Sequence, residues 1–79
     1  MTDLKGTLAN IARAIVDSPE DVVVTVTEES ETTISLKLSV AAGDMGKVIG
    51  KHGKIAKAIR QLMKAAANGT GKKVTIDIE

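Results

Sequence analysis

The chain has 79 residues, 43% of them hydrophobic, a net charge of +1, and no Cys, Phe, Tyr or Trp. This length accommodates one small domain, so residues 1–79 are expected to form a single domain. Without cysteine and with one histidine, the chain has neither a disulfide framework nor a cysteine or multi-histidine metal site, and no cofactor is predicted. No apolar run reaches about 18 residues and no signal peptide is recognisable, which favours a cytoplasmic protein that does not enter a membrane.

Charge is distributed unevenly along the chain. Residues 1–44 carry three basic and eight acidic side chains, whereas residues 45–73 carry eight basic side chains and no acidic one. A stretch with one sign of charge attracts phosphate groups or an acidic partner. A solvated helix face is the alternative explanation, because many charged segments have no other role.

The first element is predicted to be an amphipathic helix over residues 3–17. Its apolar residues recur at helical spacing, at Leu4, Leu8, Ile11 and Ile15. Thr2 or Asp3 is suited to cap its start. Pro19 is predicted to mark its end, because the residue before a proline disfavours helical geometry.

Two strands follow and are predicted to form a hairpin. Residues 22–27 are β-branched throughout, which is typical of a strand. Residues 28–31, with the sequence EESE, are predicted to form a polar turn. Residues 32–40 then alternate between a polar and an apolar face, and the apolar face consists of Ile34, Leu36, Leu38 and Val40.

The helical period returns after Ala41. Asp44 is suited to cap a short helix over Met45–Ile49, and a longer helix is predicted over Lys54–Ala67. The longer helix has its apolar residues on one face, namely Ile55, Ile59, Leu62, Met63 and Ala66. Its basic residues fall on another face, namely Lys54, Lys57, Arg60 and Lys64.

Asn68 and Gly69 are predicted to end the long helix, and residues 72–79 alternate as a final strand. The element order is therefore α-β-β-α-α-β. Because two helices connect the second and third strands, these strands are predicted to be parallel, beside an antiparallel hairpin. The predicted fold class is α+β, a two-layer α/β sandwich in which a mixed three-stranded sheet carries the helices on one face. Its outer face is predicted to be polar, with Thr25, Thr27, Thr33, Ser35, Lys37 and Thr75.

The segment VIGKHGK, residues 48–54, places two glycines three apart between the two helices. Gly50 directly follows the short helix, where a glycine in left-handed geometry is common. Gly53 lacks a side chain, so another backbone can approach the start of the long helix. The unpaired N–H groups there, at the positive end of the helix dipole, suit a nucleic-acid phosphate.

A bare G-x-x-G sequence often marks a simple turn, but here it lies in a β-α-turn-α-β frame with basic residues on both sides. This is the arrangement of a KH domain, whose loop clamps about four nucleotides of single-stranded backbone. VIGKHGKIAKAIRQLM resembles the KH signature, and the helix-first order resembles the type II form of the fold. With the small size, DMGKVIGKHGKIAKAIRQLMKAAA resembles the KhpA family of bacterial RNA-binding proteins.

This resemblance covers essentially the whole chain and implies a cytoplasmic RNA-binding protein that acts as an RNA chaperone or post-transcriptional regulator. It also implies a homodimer, association with a larger KH-containing partner, KhpB, and a link to cell-envelope growth, and so to cell shape and cell-wall organisation. One position departs from the KH pattern. Ala56 stands where many KH domains carry an aliphatic residue three positions after the second glycine, so type I base contacts beyond the loop are not carried over.

The predicted RNA-binding residues lie in and around the loop. Its two glycines, Gly50 and Gly53, are expected to cradle a phosphate, and Lys51 to contact it. His52 is expected to donate to a phosphate or to lie against a base, with contact to water alone as the alternative. By resemblance, Ile49 contributes to an apolar floor for bases. Further electrostatic attraction is expected from Lys47, Lys54 and Lys57.

The chain cannot stack bases on Phe, Tyr or Trp, as RRM and many OB-fold proteins do. Base contacts are therefore aliphatic or polar, and modest affinity is expected from one copy. Two copies raise avidity without new contacts, which favours a dimer independently of the resemblance.

No acid pair, nucleophile with a neighbouring base, metal ligand set, Walker A loop or dinucleotide fingerprint is present, so no enzymatic activity is predicted. Two functional classes remain open. One is an RNA-binding module, with single-stranded DNA as a variant ligand. The other is a protein-interaction or scaffolding domain whose basic helix meets an acidic partner. A helix-turn-helix DNA-binding domain fits less well, because strands lie on both sides of the glycine turn.

Overall fold

The computed structural model describes residues 3–79. Its helices and strands are α1 (Leu4–Arg13), β1 (Val23–Glu29), β2 (Thr33–Ser39), α2 (Met45–Ile49), α3 (Lys54–Ala67) and β3 (Lys73–Ile78). The element order confirms the prediction, and the bounds of α2 and α3 are those predicted. Within the described residues, no helix has the length and hydropathy needed to cross a bilayer.

The sheet has the order β1-β2-β3, with β2 in the centre. β1 pairs antiparallel with β2, and β2 pairs parallel with β3, as predicted for a hairpin followed by a two-helix connection. A bulge at Thr27 shifts the hairpin register, so that Glu29 rather than Glu28 lies opposite Ile34. Glu29 is thereby able to pair with Lys72, whose Nζ lies 2.8 Å from the carboxylate.

The core lies between the sheet and the helices. Ile34, Leu36 and Leu38 of β2 are buried, as the alternation predicts, and Leu8 and Met63 are fully buried on the helices. The predicted outer-face residues are exposed or half-buried. The structure therefore confirms an α+β fold in which a mixed three-stranded sheet carries the helices on one face.

The hairpin differs from its predicted bounds at the turn. β1 continues to Glu29, so the turn consists of residues 30–32 instead of 28–31. The Ser30 hydroxyl oxygen accepts hydrogen bonds from the N–H groups of Thr32 and Thr33, and the Ser30 N–H donates to the Thr33 carbonyl at 2.8 Å. These bonds within the turn let both strands extend up to it.

The start of α1 is capped at one of the two predicted positions. The Asp3 carboxylate accepts a 3.0 Å hydrogen bond from the Gly6 N–H, and the Asp3 carbonyl accepts another from the Thr7 hydroxyl. Thr2, the alternative cap, lies outside the described residues. The Asp3 carboxylate therefore satisfies one of the N–H groups that a helix start leaves unpaired.

The end of α1 was predicted wrongly, because the helix stops at Arg13 and not at residue 17. Beyond it the backbone tightens, and the Ile15 N–H donates to the Ala12 carbonyl three residues earlier. Ile15 is consequently exposed, and Val16 packs against the core instead. The apolar spacing that includes Ile15 extends past the real end of the helix.

α3 faces the core with a different set of residues from the one predicted. Ile59 and Met63 are buried as expected, but Ile55 and Leu62 are 39% and 56% exposed. The buried positions beside Ile59 and Met63 belong to small residues, Ala56 and Ala67. The predicted face was defined mainly by large apolar side chains. In the structure, α3 packs against α1 and β3 through a face that includes alanines.

α3 ends where predicted, with Asn68 as its C-cap residue. Asn68 and Gly69 follow the helix within a 3-10 turn, but the residue with left-handed backbone is Gly71, at φ 75°. The Thr70 hydroxyl donates a 2.7 Å hydrogen bond to the Ala67 carbonyl at the helix end. The left-handed residue Gly71 then leads the chain into β3.

Neighbouring residues of α3 test this packing. Met63→Ala is expected to lower the free energy of unfolding by about 2–5 kcal/mol, because it leaves a cavity at a fully buried position. Leu62→Ala is expected to change it by less than about 0.5 kcal/mol, because this side chain is mostly exposed. Urea unfolding followed by circular dichroism, repeated at several protein concentrations, separates folding from self-association. Equal losses in the two variants would contradict this orientation of α3.

Candidate nucleic-acid interface

α2 and α3 are joined by a four-residue loop, residues 50–53, in which three residues have positive φ. The Gly53 N–H donates to the Gly50 carbonyl at 3.2 Å, and the Lys54 N–H donates to the Lys51 carbonyl. The loop is therefore a hydrogen-bonded turn rather than an open coil. It reverses the chain between two helices that pack against each other.

Gly50 has φ 75° and ψ 174°, a backbone region that is essentially restricted to glycine. The predicted left-handed helical geometry is therefore wrong in ψ, although φ is positive as expected. A β-carbon at this position would lie 2.6 Å from Cγ1 of Ile55. Backbone conformation and packing both require glycine here, because Ile55 at the start of α3 lies directly against the loop.

Gly53 and His52 both have left-handed backbone, at φ 74° and φ 58°. A β-carbon at Gly53 would meet no atom within 4 Å, so this side of the loop is open. His52 is the one non-glycine residue of 3–79 with positive φ, and histidine is among the residues that tolerate this region. The loop thus exposes His52 beside an open backbone surface.

The start of α3 lies beside this open surface. Gly53 occupies its N-cap position, and no side chain caps the helix. The Lys54 N–H is bonded to the Lys51 carbonyl, so the N–H groups that are available to an anionic group, at the positive end of the helix dipole, are those that follow Lys54 in the first turn.

The predicted contact residues lie in the loop or next to it in the chain. Lys51 and His52 are exposed within the turn itself. Two further lysines are exposed in the first turns of α3, Lys54 and Lys57. Ile49 is 37% exposed at the end of α2, whereas the neighbouring Val48 is fully buried. Ile49 is therefore an apolar residue of α2 that a ligand can reach.

Lys47 differs from the other predicted lysines because it forms an ion pair. Its Nζ lies 3.4 Å from the carboxylate of Asp17, in the segment between α1 and β1. Among the described residues, no acidic side chain forms a salt bridge with Lys51, Lys54 or Lys57. Uncompensated positive charge is consequently present at the loop and along α3, where Arg60 and Lys64 also form no salt bridge with a described residue.

A groove between α3 and the edge strand β3 contains residues that were not among the predicted contacts. The Arg60 Nε donates a 3.3 Å hydrogen bond to the Ile76 carbonyl, which joins the two elements. Three cationic side chains line the groove, Arg60, Lys64 and Lys73. The crossover topology indicates that α3 and β3 are neighbours, but which residues face each other depends on the packing.

A larger cavity lies near the C-terminal end of α3, about 21 Å along this helix from the loop. It is bordered by α1 and the β1–β2 hairpin. Its charged residues carry both signs, namely Lys5, Lys72, Asp3 and Glu29. A lining of mixed sign suits a polyanion less well than the loop, where Lys51, Lys54 and Lys57 form no salt bridge with a described residue.

Two helices joined by a G-x-x-G turn, between parallel strands of a three-stranded sheet, define the class of KH domains. The helix and hairpin that precede this unit make it the type II order. Within residues 3–79, no group of three His, Cys, Asp or Glu side chains is arranged to hold a metal ion.

Comparison with known proteins agrees with this class. The family described as KhpA/KhpB, KH domain, matches residues 5–78. The chain belongs to this family. Because it is a family of KH domains and not of enzymes, the expectation that the protein is not an enzyme is confirmed.

Several relatives carry the name RNA-binding protein KhpA. The chain is 49% identical over 71 residues to the Listeria monocytogenes protein, and these aligned residues make up 90% of this chain and 92% of that protein. It is 51% identical over 75 residues to the Clostridium perfringens protein, covering 95% and 99%. It is 45% identical over 80 residues to the Bacillus subtilis protein, covering 99% and 98%.

The two loop glycines are expected to differ in their tolerance of alanine. Gly53→Ala is expected to lower the free energy of unfolding by about 1 kcal/mol, the cost of left-handed backbone for a residue with a β-carbon. Gly50→Ala is expected to lower the free energy of unfolding by about 1–3 kcal/mol more than Gly53→Ala does, because its β-carbon overlaps Ile55. Thermal unfolding measures both, and a larger loss for Gly53→Ala would contradict this loop geometry.

Proposed function

We propose that this chain is an RNA-binding protein, a single KH domain over residues 1–79 that clamps single-stranded RNA backbone with the loop at residues 50–53. The observation that carries the proposal is a turn with an open face at Gly53, beside lysines that have no acidic partner within residues 3–79. Relatives that are 45–51% identical bear the name RNA-binding protein, which supports the same function.

The phosphate group lies, in this proposal, across the open side of Gly53 at the start of α3. The N–H groups that follow Lys54 in the first helical turn donate to its oxygens, and the helix dipole adds attraction. Lys51 supplies a charge-assisted contact from within the turn. The hydrogen bonds that close the turn hold these donors in place before RNA arrives, which limits the ordering cost of binding.

The surrounding residues have supporting roles. Lys54 and Lys57 raise the local positive potential and are individually replaceable, as is Lys47, whose charge Asp17 partly compensates. Ile49 provides an apolar surface for a base, and His52 is exposed close enough in the turn to contact phosphate or base. With no aromatic platform, contacts to the backbone dominate, so weak sequence preference is expected.

Charge reversal in the loop tests the proposal. Lys51→Asp combined with His52→Asp is expected to lower the affinity for a single-stranded RNA oligonucleotide at least about tenfold, because carboxylates then repel the phosphates. Aspartate tolerates the left-handed backbone of position 52, so the fold is expected to persist. Fluorescence anisotropy at several salt concentrations measures the affinity, and circular dichroism measures the fold.

Lys5→Asp combined with Asn10→Asp is the matched control, since it changes the net charge equally at exposed positions of α1. Its affinity is expected to remain within about twofold of wild type. Equal RNA affinity of wild type and the folded loop variant would contradict the proposal. Tighter binding of a deoxyribonucleotide of the same sequence would instead assign single-stranded DNA, and a protein partner retained by the loop variant without RNA would assign a scaffolding domain.

The proposal includes a homodimer formed through the side of α3 that lies opposite Lys57 and Lys64. At about 100° per residue, Ile55 and Leu62 fall on one side of α3 and Lys57 and Lys64 on the other, with the buried face between them. Ile55 and Leu62 are exposed apolar residues, so a second copy can cover them while the basic side stays free. Two joined copies raise the avidity for one RNA strand.

Leu62→Lys is expected to raise the dissociation constant of the homodimer at least about tenfold, because it places a charge in the apolar contact. The fold is expected to be unaffected, since this side chain is 56% exposed. Gln61→Lys, also exposed and with the same charge change, is the control and is expected to associate as wild type. Sedimentation equilibrium measures all three proteins, and a monomeric wild type or an unchanged Leu62→Lys would contradict this surface.

The cellular role proposed here is that of an RNA chaperone or post-transcriptional regulator in the cytoplasm. A heteromer with a larger KH-containing protein, KhpB, belongs to the same proposal, and the pairing of KhpA with KhpB in the family description supports it. A contribution to cell-envelope growth, and so to cell shape, follows from the resemblance. Crosslinking in cells, with sequencing of the nucleic acid bound by wild type and by the loop variant, identifies the targets.

A further inference from the structure

Asp44 is the one charged residue among residues 3–79 that is buried, with 4% of its surface exposed. A buried carboxylate is costly unless a hydrogen bond satisfies it. Its Oδ2 accepts a 2.9 Å hydrogen bond from the backbone N–H of Ser18, which lies 26 residues earlier in the chain. This bond links the start of α2 to the segment between α1 and β1.

This arrangement differs from the capping role that the sequence predicts for Asp44. The residue does occupy the N-cap position of α2, but its side chain accepts no hydrogen bond from that helix. The carboxylate is directed to Ser18 instead. A residue type that ordinarily stabilises its own helix start therefore joins two distant segments.

α2 needs such an external support because it has only five residues. An isolated helix shorter than about 12–15 residues is marginal in water, so the position of α2 depends on its contacts with the rest of the protein. Val48 is its one buried residue and is fully buried. Asp44 precedes Val48 by four residues, which places both on the same side of the helix. The two residues together hold α2 at two points along its length.

The segment that receives Asp44 is itself well fixed. The Ser18 carbonyl accepts a 3.0 Å hydrogen bond from the Asp21 N–H, and Pro19 restricts the backbone between them. The adjacent Asp17 pairs with Lys47 of α2 at 3.4 Å, although both of these side chains are largely exposed. Of the two contacts, the partly buried one between Asp44 and Ser18 is the better suited to set an orientation.

We infer that Asp44 is a positioning residue for the loop at residues 50–53: by accepting the Ser18 N–H, it sets the orientation of α2 and hence the geometry of the RNA clamp. The inference rests on the proposed function. Gly50 follows Asp44 by about 9 Å along the helix, so a tilt of α2 about Val48 displaces the loop. Such a tilt also disturbs the close contact of Gly50 with Ile55.

Three variants of the full chain separate positioning from a general loss of stability. Asp44→Ala removes the acceptor, whereas Asp44→Asn keeps an oxygen that can accept the Ser18 N–H. Ile34→Ala is the matched control, because it opens a cavity in the core at the hairpin end of β2, away from the loop. All are compared at a temperature at which circular dichroism shows each to be folded.

Asp44→Ala is expected to lower the affinity for single-stranded RNA about fivefold or more, and to speed hydrogen exchange of the Gly50 and Gly53 amides. Asp44→Asn is expected to bind RNA with an affinity within about twofold of wild type. Ile34→Ala is expected to do the same, although its melting temperature is lower. Wild-type affinity and wild-type loop exchange in folded Asp44→Ala would overturn the inference. So would a similar loss of affinity in Ile34→Ala.

The wild-type protein provides a test that does not require any variant to fold. If the loop and Ser18 are coupled through Asp44, RNA binding must slow hydrogen exchange of the Ser18 amide, because coupling between two sites is reciprocal. Unchanged exchange at Ser18 in the RNA complex would overturn the inference. Failure of RNA to bind at all would instead contradict the proposed function. Hydrogen exchange of the Gly50 and Gly53 amides in Asp44→Ala and Asp44→Asn would then still decide whether Asp44 holds the loop.

Discussion

The contact between Gly50 and Ile55 is the constraint on which the loop between α2 and α3 depends. Ile55 belongs to the first turn of α3 and Gly50 ends α2, so this contact brings the end of one helix against the start of the next. No residue with a β-carbon fits between them, and the positive φ with extended ψ at Gly50 excludes such residues as well. A glycine loses more conformational entropy on folding than other residues do, and this loss opposes formation of the turn.

The turn lies beside basic residues that have no acidic partner. The acidic first half of the chain supplies partners to some of the basic residues in the second half, through Asp17 with Lys47 and Glu29 with Lys72. The lysines at the loop and at the first turns of α3 receive no such partner within residues 3–79. Positive potential is therefore present where the backbone is open and no side chain caps the helix start, and these are conditions that favour a phosphate group.

A small core without aromatic residues places further demands on the short helix α2. Leucine, valine, isoleucine and methionine side chains fill the space between the sheet and the longer helices, but α2 offers that core only Val48, which is fully buried, and Met45, which is partly buried. A partly buried hydrogen bond from the Ser18 N–H to Asp44 compensates for the small apolar surface of this helix. The element that carries the loop is thus held by a few apolar contacts and by polar contacts to the segment between α1 and β1.

The amino-acid pattern alone determined the element order, the bounds of α2 and α3, the buried face of β2 and the presence of a tight turn at Gly50 and Gly53. These features follow from local periodicity and from the backbone freedom of glycine, which neighbouring residues in the chain suffice to set. Tertiary structure decided where α1 ends, which side of α3 is buried, and that Asp44 binds Ser18 instead of capping α2. Ile55 and Leu62 match a core pattern but lie at the surface, because burial depends on which faces of distant segments meet, and periodicity within one helix does not contain that information.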